Sequence, residues 1–141
     1  MKLFNFWQKW ILVSGILIIL MGFTFPINLF LNIEFEYINK AFWENGKIPQ
    51  DSIAFWNWIF GTYCALSIVF GIFIIFISAN PFRRKEKWAW FCLLVCYSTW
   101  FLIDTIYSIG YKVFANASNN LILFLILIIP LIFTRKALFK K

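Results

Sequence analysis

IAFWNWIFGTYCALSIVFGIFIIFIS, residues 53–78, runs from Ile53 to Ser78 without one Asp, Glu, Lys or Arg. A helix needs about 20 mainly apolar residues to cross the roughly 30 Å hydrocarbon core of a bilayer. This stretch exceeds that length, so it is read as a membrane span that tilts or protrudes. Asp51 or Ser52 is placed to cap its start. Asn80-Pro81 is placed to close it, because proline has no N–H and its ring obstructs the preceding turn.

Three more apolar runs flank it. The first extends from about residue 10 to 31, the third from 88 to 109 and the fourth from 113 to 133. The start of the first resembles a signal peptide, with Lys2 and Lys9 ahead of an apolar run. Gly22-Phe-Thr-Phe-Pro-Ile lacks a small-x-small cleavage pattern, so an uncleaved span is expected, bent or ended at Pro26. Gly110 is the expected end of the third. For the fourth, Leu121 to Phe133 is purely apolar but spans only about 20 Å as a helix. A start near Val113 gives a full span and puts Asn116, Asn119 and Asn120 on one helical face. A later start leaves them as cap and turn residues. Both readings stand at this point.

Composition agrees with membrane residence. Hydrophobic residues make up 62% of the 141-residue chain and charged residues 13%, against about 25% charged in soluble domains. The net charge of +7 does not point to nucleic acid. Ten of the thirteen Lys and Arg lie beside span ends: Lys2 and Lys9; Arg83, Arg84, Lys85 and Lys87; Arg135, Lys136, Lys140 and Lys141. That is the positive-inside pattern, and it places both termini in the cytoplasm. Residues 32–52 hold four acids and two lysines, the opposite balance, and are read as an outer loop. Within it Ile33, Phe35 and Tyr37 alternate with Glu34 and Glu36, which suggests a short extended segment. Phe42 and Trp43 are expected on the membrane surface or capping the bundle.

The fold expected is therefore all-α: four transmembrane helices in an up-down-up-down bundle, one integral domain over residues 1–141. Small residues at Ser14, Gly15, Gly22, Gly61, Ala65, Ser67 and Gly71 would let helices approach closely. Trp7, Trp10, Trp88 and Trp90 suit an inner interfacial belt, and Trp43, Trp56 and Trp58 an outer one.

Asp104 is the one acid inside the apolar runs. A carboxylate costs roughly 2.5 kcal/mol or more near the centre of a bilayer, so it is expected to face protein or water. Trp100 lies one turn before it, Tyr97 two turns before it, and Tyr107 and Ser108 one turn after it. Asn57, Thr62 and Tyr63 of the second span and Asn119 and Asn120 of the fourth fall at a similar depth. These residues are the candidate ligand site, a polar pocket in the outer half of the bundle. The plainer alternative is that Asp104 bonds neighbouring helices together.

Nothing in the chain suggests a metal or cofactor. There is no histidine, no phosphate-binding glycine loop and no nucleophile elbow. Cys64, Cys92 and Cys96 fall within spans and read as packing residues with free thiols. Asn116-Ala117-Ser118 matches a glycosylation acceptor by chance. The expected role is a non-enzymatic accessory or interaction protein accepting a lipid-like ligand. Membrane lipids are its expected partners, with a membrane protein or a second copy as further candidates. The rivals are a lipid- or isoprenoid-acting enzyme using Asp104 as acid or base, and an oligomeric proton or ion pathway.

Pro81-Phe-Arg-Arg-Lys-Glu-Lys-Trp-Ala-Trp90 leads into the span that carries Asp104. With four short spans around it, the chain resembles DoxX-like and other uncharacterised four-helix proteins of bacterial inner membranes. The resemblance is one of architecture and implies that localisation, but no activity.

Overall fold

The computed structural model describes residues 2–24 and 31–139. Its α-helices are α1 Lys2–Thr24, α2 Leu31–Phe42, α3 Ile53–Ile77, α4 Lys87–Gly110 and α5 Phe114–Phe139. Four of them, α1, α3, α4 and α5, are long and apolar enough to cross a membrane. Only 17–28% of the most apolar window of each is buried. Leu66, Val69, Phe76, Val95, Ile106 and Ile132 all lie on the outer surface. In water that surface would be an aggregation hazard, whereas in lipid it is the expected exterior. The fold is an all-α bundle of four candidate membrane spans.

Several boundaries depart from the sequence reading, each for a local reason. α1 begins at Lys2 rather than near residue 10, so both Lys2 and Lys9 ride on the helix as exposed residues. The bend assigned to Pro26 lies outside the described residues. The outer loop contains a helix, α2, where the alternating pattern suggested an extended segment. An alternation over five residues covers little more than one helical turn and does not separate the two conformations. Helical spacing also pairs Glu36 with Lys40, 2.7 Å apart on the exposed face. The lysine holds the Glu36 carboxyl below its usual range through that hydrogen bond and its charge.

α3 starts at Ile53 as read, but from a single 3-10 turn over Gln50–Ser52, and Ser52 makes no side-chain cap. Pro81 does not stop α3. The chain continues through a π turn, Ser78–Phe82, that holds the proline inside it. The wider coil gives the ring room that an α-turn denies it.

The reversal comes at Lys85, with φ 61°. There Lys85 N–H bonds Phe82 O at 2.9 Å and Glu86 N–H bonds Pro81 O at 2.9 Å. The same cap closes α4. Lys112 has φ 62°, its N–H bonds Ile109 O at 3.0 Å, and Val113 N–H bonds Ser108 O at 2.8 Å. Left-handed helix caps usually carry glycine. Here lysine takes the position twice, while Gly110 is simply the last residue of α4. The tight turn then lets α5 begin at Phe114, which puts Asn116, Asn119 and Asn120 on the helix.

Packing is uneven from end to end. The described basic segments meet at one end, where Phe4 stacks on Phe82 and the ammonium groups of Lys85 and Lys87 lie over Phe4 and Phe139. The core sits in that half, around Ile11, Ile74, Trp90, Leu93, Leu127 and Leu131. α1 lies against α3 backbone to backbone, Gly15 facing Gly71, with Gly22 against Ile68 and Cys64. α1 also packs on α5, and α5 on α4, but α3 and α4 scarcely touch despite the short turn that joins them. On α4 no residue between Tyr97 and Ser108 is buried, and on α3 none precedes Cys64. Among the described residues the bundle is thus closely packed on three sides and loosest along the α3–α4 seam toward the acidic-loop end. Such a seam is cheap in a membrane, because lipid chains solvate apolar side chains as well as other helices do.

Two prolines at the closed end lack the N–H that continues a helical ladder, and side chains of α1 bond the backbone near both. Pro130 lies inside α5 and cannot donate to Ile126 O, and the Trp10 indole N–H from α1 bonds that carbonyl at 3.1 Å. Beside Pro81, Gln8 Nε2 donates to Ser78 O at 3.0 Å, and Ser78 Oγ donates back to Gln8 O at 2.9 Å. Trp90, expected in the interfacial belt, is buried and donates to Leu131 O at 2.8 Å.

Candidate functional site

The wide end of the seam is a cavity of about 290 Å³. Each surrounding helix contributes one face to it. From α3 come Trp56, Ile59, Phe60 and Tyr63, and from α4 come Asp104, Tyr107, Ser108 and Tyr111. Both sets follow the i, i+3, i+4, i+7 spacing of a single helical stripe. α2 lays Ile38 and Phe42, one turn apart, across the end. Phe42 meets Tyr111 at 5.8 Å between ring centres, and Trp43 meets Trp56 edge-on at 5.9 Å, so α2 caps the bundle. Val113 and Asn116 complete the wall.

The polar part of this wall is one connected cluster. Asn116 Nδ2 donates to Asp104 Oδ1 at 2.9 Å and contacts Ser108 Oγ at 2.8 Å. Ser108 Oγ donates to the Asp104 backbone carbonyl at 2.7 Å and lies 3.1 Å from Oδ1. Ser108 follows Asp104 by one turn on α4, and the Lys112 cap folds α5 back so that Asn116, in its first turn, reaches both. Asp104 stands about 25 Å along the axis from Lys87 but only about 9 Å from Gly110, well toward the open end. Among the described residues, no hydrogen bond reaches its second oxygen, Oδ2, and no cation pairs with it. Lys112 is exposed and does not line the cavity.

No known family, curated protein or solved structure matches this chain. The likeness to DoxX-like proteins therefore stays at the level of four helices, and the site has to be read from its own geometry.

The candidate residues distribute unevenly around that geometry. Asp104, Tyr107, Ser108 and Tyr63 line the cavity together. Trp100 does not. It lines a smaller space of about 60 Å³ one turn deeper, with Phe70, Ser67 and Leu127, and Tyr63 borders both spaces. Tyr97 is fully buried in the core, edge-on to Phe70, and its hydroxyl has no partner among the described residues. Asn120 is buried one turn below Asn116, with its Nδ2 also unpartnered. Asn57 and Thr62 are exposed, and the Thr62 hydroxyl bonds its own helix at Ile59 O. Each sits one residue, about a third of a turn, from the lining Trp56 or Tyr63. Asn119 is exposed.

Sequence reading alone does not place Ile59 or Phe60 at the site, and it gives Trp56 only a belt role and Phe42 only a surface or capping one. The shared spacing of Trp56, Phe60 and Tyr63 with Tyr107 and Tyr111 was the available signal, and the uniform aromatic richness of the chain hid it.

Proposed function

We propose that this multi-pass membrane protein is a non-enzymatic binding or accessory protein that holds an amphiphile in the α3–α4 cleft. The head lies against Asp104, Ser108 and Asn116, and the chain leaves through the seam past Tyr63 into the bilayer. One observation carries this reading. A connected polar cluster forms a single patch of an aromatic cavity, and that cavity adjoins the α3–α4 seam, the loosest of the bundle among the described residues. Binding sites of this kind combine mainly apolar walls with a few placed polar groups that orient the ligand. The gathering of basic segments at the closed end supports a cytoplasmic position for that end. The cleft then faces the outer leaflet, and a bacterial inner membrane is the setting proposed.

The test is retention of amphiphile by the full chain. Native mass spectrometry after mild detergent extraction is expected to find one bound amphiphile on the wild type and none on Ile59→Trp, which fills the cavity. Photoactivatable lipid should crosslink to Tyr63 and Tyr107 in preference to the equally apolar outer face around Leu66 and Val69. Equal retention by Ile59→Trp, or crosslinks spread evenly over the lipid-facing surface, would refute the proposal.

A further inference from the structure

The charge of the cavity narrows what the amphiphile can be. Among the described residues that line it, Asp104 is the only ionisable acid or base apart from tyrosine hydroxyls, and no described Lys or Arg joins it. A phosphate or sulfate head with no added cation would sit beside a carboxylate with no counter-charge, in a low-dielectric site where that repulsion is weakly screened. The neutral donors already present are spent within the cluster, Asn116 Nδ2 on Asp104 Oδ1 and Ser108 Oγ, and Ser108 Oγ on the Asp104 backbone carbonyl. What the wall still offers is acceptor capacity on Asp104 Oδ2 and the aromatic rings that line the cavity beside it, Phe42, Tyr107 and Tyr111 among them. A carboxylate among aromatic faces is the chemistry that recognises an alkylammonium ion, by charge on one side and cation–π attraction on the others. The missing cation partner of Asp104 is then the ligand itself.

Resting on the cleft-binding reading above, we infer that the ligand is an amphiphile whose head carries an ammonium group, seated between Asp104 and the rings. Two sources share that chemistry, an amine-bearing bilayer lipid and a free alkylammonium compound that partitions into the membrane.

The test uses the full chain in phosphatidylglycerol nanodiscs, which contain no amine. Dodecyltrimethylammonium with ¹³C-labelled N-methyl groups is titrated in and followed by NMR, beside chain-matched ¹³C-labelled dodecanol. Ring currents should move the bound N-methyl signal upfield. Asp104→Asn should weaken that binding on the order of tenfold and leave dodecanol unaffected. Tyr107→Leu removes one exposed ring without touching the hydrogen-bonded cluster and should weaken the cation several-fold. Circular dichroism on both variants keeps misfolding from passing as lost binding.

If dodecanol and the cation bind the cleft alike, or Asp104→Asn keeps the wild-type preference, the cationic head is overturned while the cleft reading survives. If neither probe binds saturably, both fall. Repeating the titration in phosphatidylethanolamine discs separates the sources. Competition assigns the site to the bilayer amine lipid and its absence to a free amphiphile, and either result supports an ammonium head.

Discussion

Replacing Gly71 by alanine should separate α1 from α3, and the structure sets the size of the effect. A Cβ built on Gly71 would stand 2.6 Å from the Gly15 carbonyl oxygen, 2.6 Å from Ile19 Cγ1 and 3.0 Å from the Ile19 backbone nitrogen. Ordinary contact begins near 3.4 Å. The Ile19 side chain can turn away, but two of the three obstacles are backbone, so α1 as a whole has to recede. Overpacking of this kind costs about 1–3 kcal/mol. Against it stands the helix-forming advantage of alanine over glycine, about 1 kcal/mol at most. The net expectation is a loss of about 0–2 kcal/mol.

Gly61 on the same helix is the matched control, because a Cβ there meets nothing within 4 Å. Gly61→Ala should be neutral or slightly stabilising. Reversible unfolding in mixed micelles of mild detergent and dodecyl sulfate, followed by circular dichroism, measures both variants on one scale. If Gly71→Ala proves as stable as Gly61→Ala, the backbone-to-backbone packing of α1 on α3 is wrong.

In the same assay Asn116→Ala, which strips Asp104 Oδ1 and Ser108 of an interhelical partner, should cost about 1 kcal/mol, the scale of such bonds in membranes. Asp104→Asn should leave stability unchanged or raise it, since an amide oxygen accepts the Asn116 bond without a charge; a loss above about 1 kcal/mol would make the acid a structural residue. Lys112→Gly should gain up to about 1 kcal/mol by relieving a left-handed backbone, whereas Lys112→Val should lose stability, and equal midpoints for the two would contradict the cap. Trp10→Phe should cost about 1 kcal/mol by leaving Ile126 O unpaired, and markedly less in a Pro130→Ala background where the helix satisfies that carbonyl itself.

Legibility in the sequence followed physical contrast. The uncharged run from Ile53 to Ser78 and the basic flanks stand out against any soluble background, so the spans and the side on which the basic segments gather could be read directly. Asp104 was legible for the same reason, as one acid in an apolar field. What could not be read is which face of each helix meets a neighbour. A helix in water betrays its packed face by polarity on the other, but in lipid both faces are apolar. The stripe Trp56, Ile59, Phe60, Tyr63 therefore looks no different from the lipid-facing Leu66, Val69 and Phe76 beside it. The start of α5 was ambiguous because asparagine serves turns and helix interiors alike, and the deciding residue, Lys112, is of a type that seldom adopts the left-handed conformation it holds.

The polar side chains of the two ends play different parts, and the difference bears on Asp104. At the closed end Trp10 takes up the carbonyl left open by Pro130, and Gln8 pairs with Ser78 in the π turn that holds Pro81. The first contact repairs a defect in a helix that the bundle needs, and the second ties α1 to the π turn. No such defect lies near Asp104, because α4 is regular there and its end is already closed by the Lys112 cap. Joining α4 to α5 is also a task the short turn between them performs. An interhelical bond in a membrane averages about 0.6 kcal/mol and reaches about 1.7 kcal/mol, while a carboxylate costs about 2.5 kcal/mol or more near the bilayer centre and less toward the surface. Asparagine or serine at position 104 would join the helices without that charge penalty. On the cleft-binding proposal, an acid with one oxygen held by Asn116 and no hydrogen bond to the other among the described residues is better accounted for by a cation that it binds than by helices that it ties.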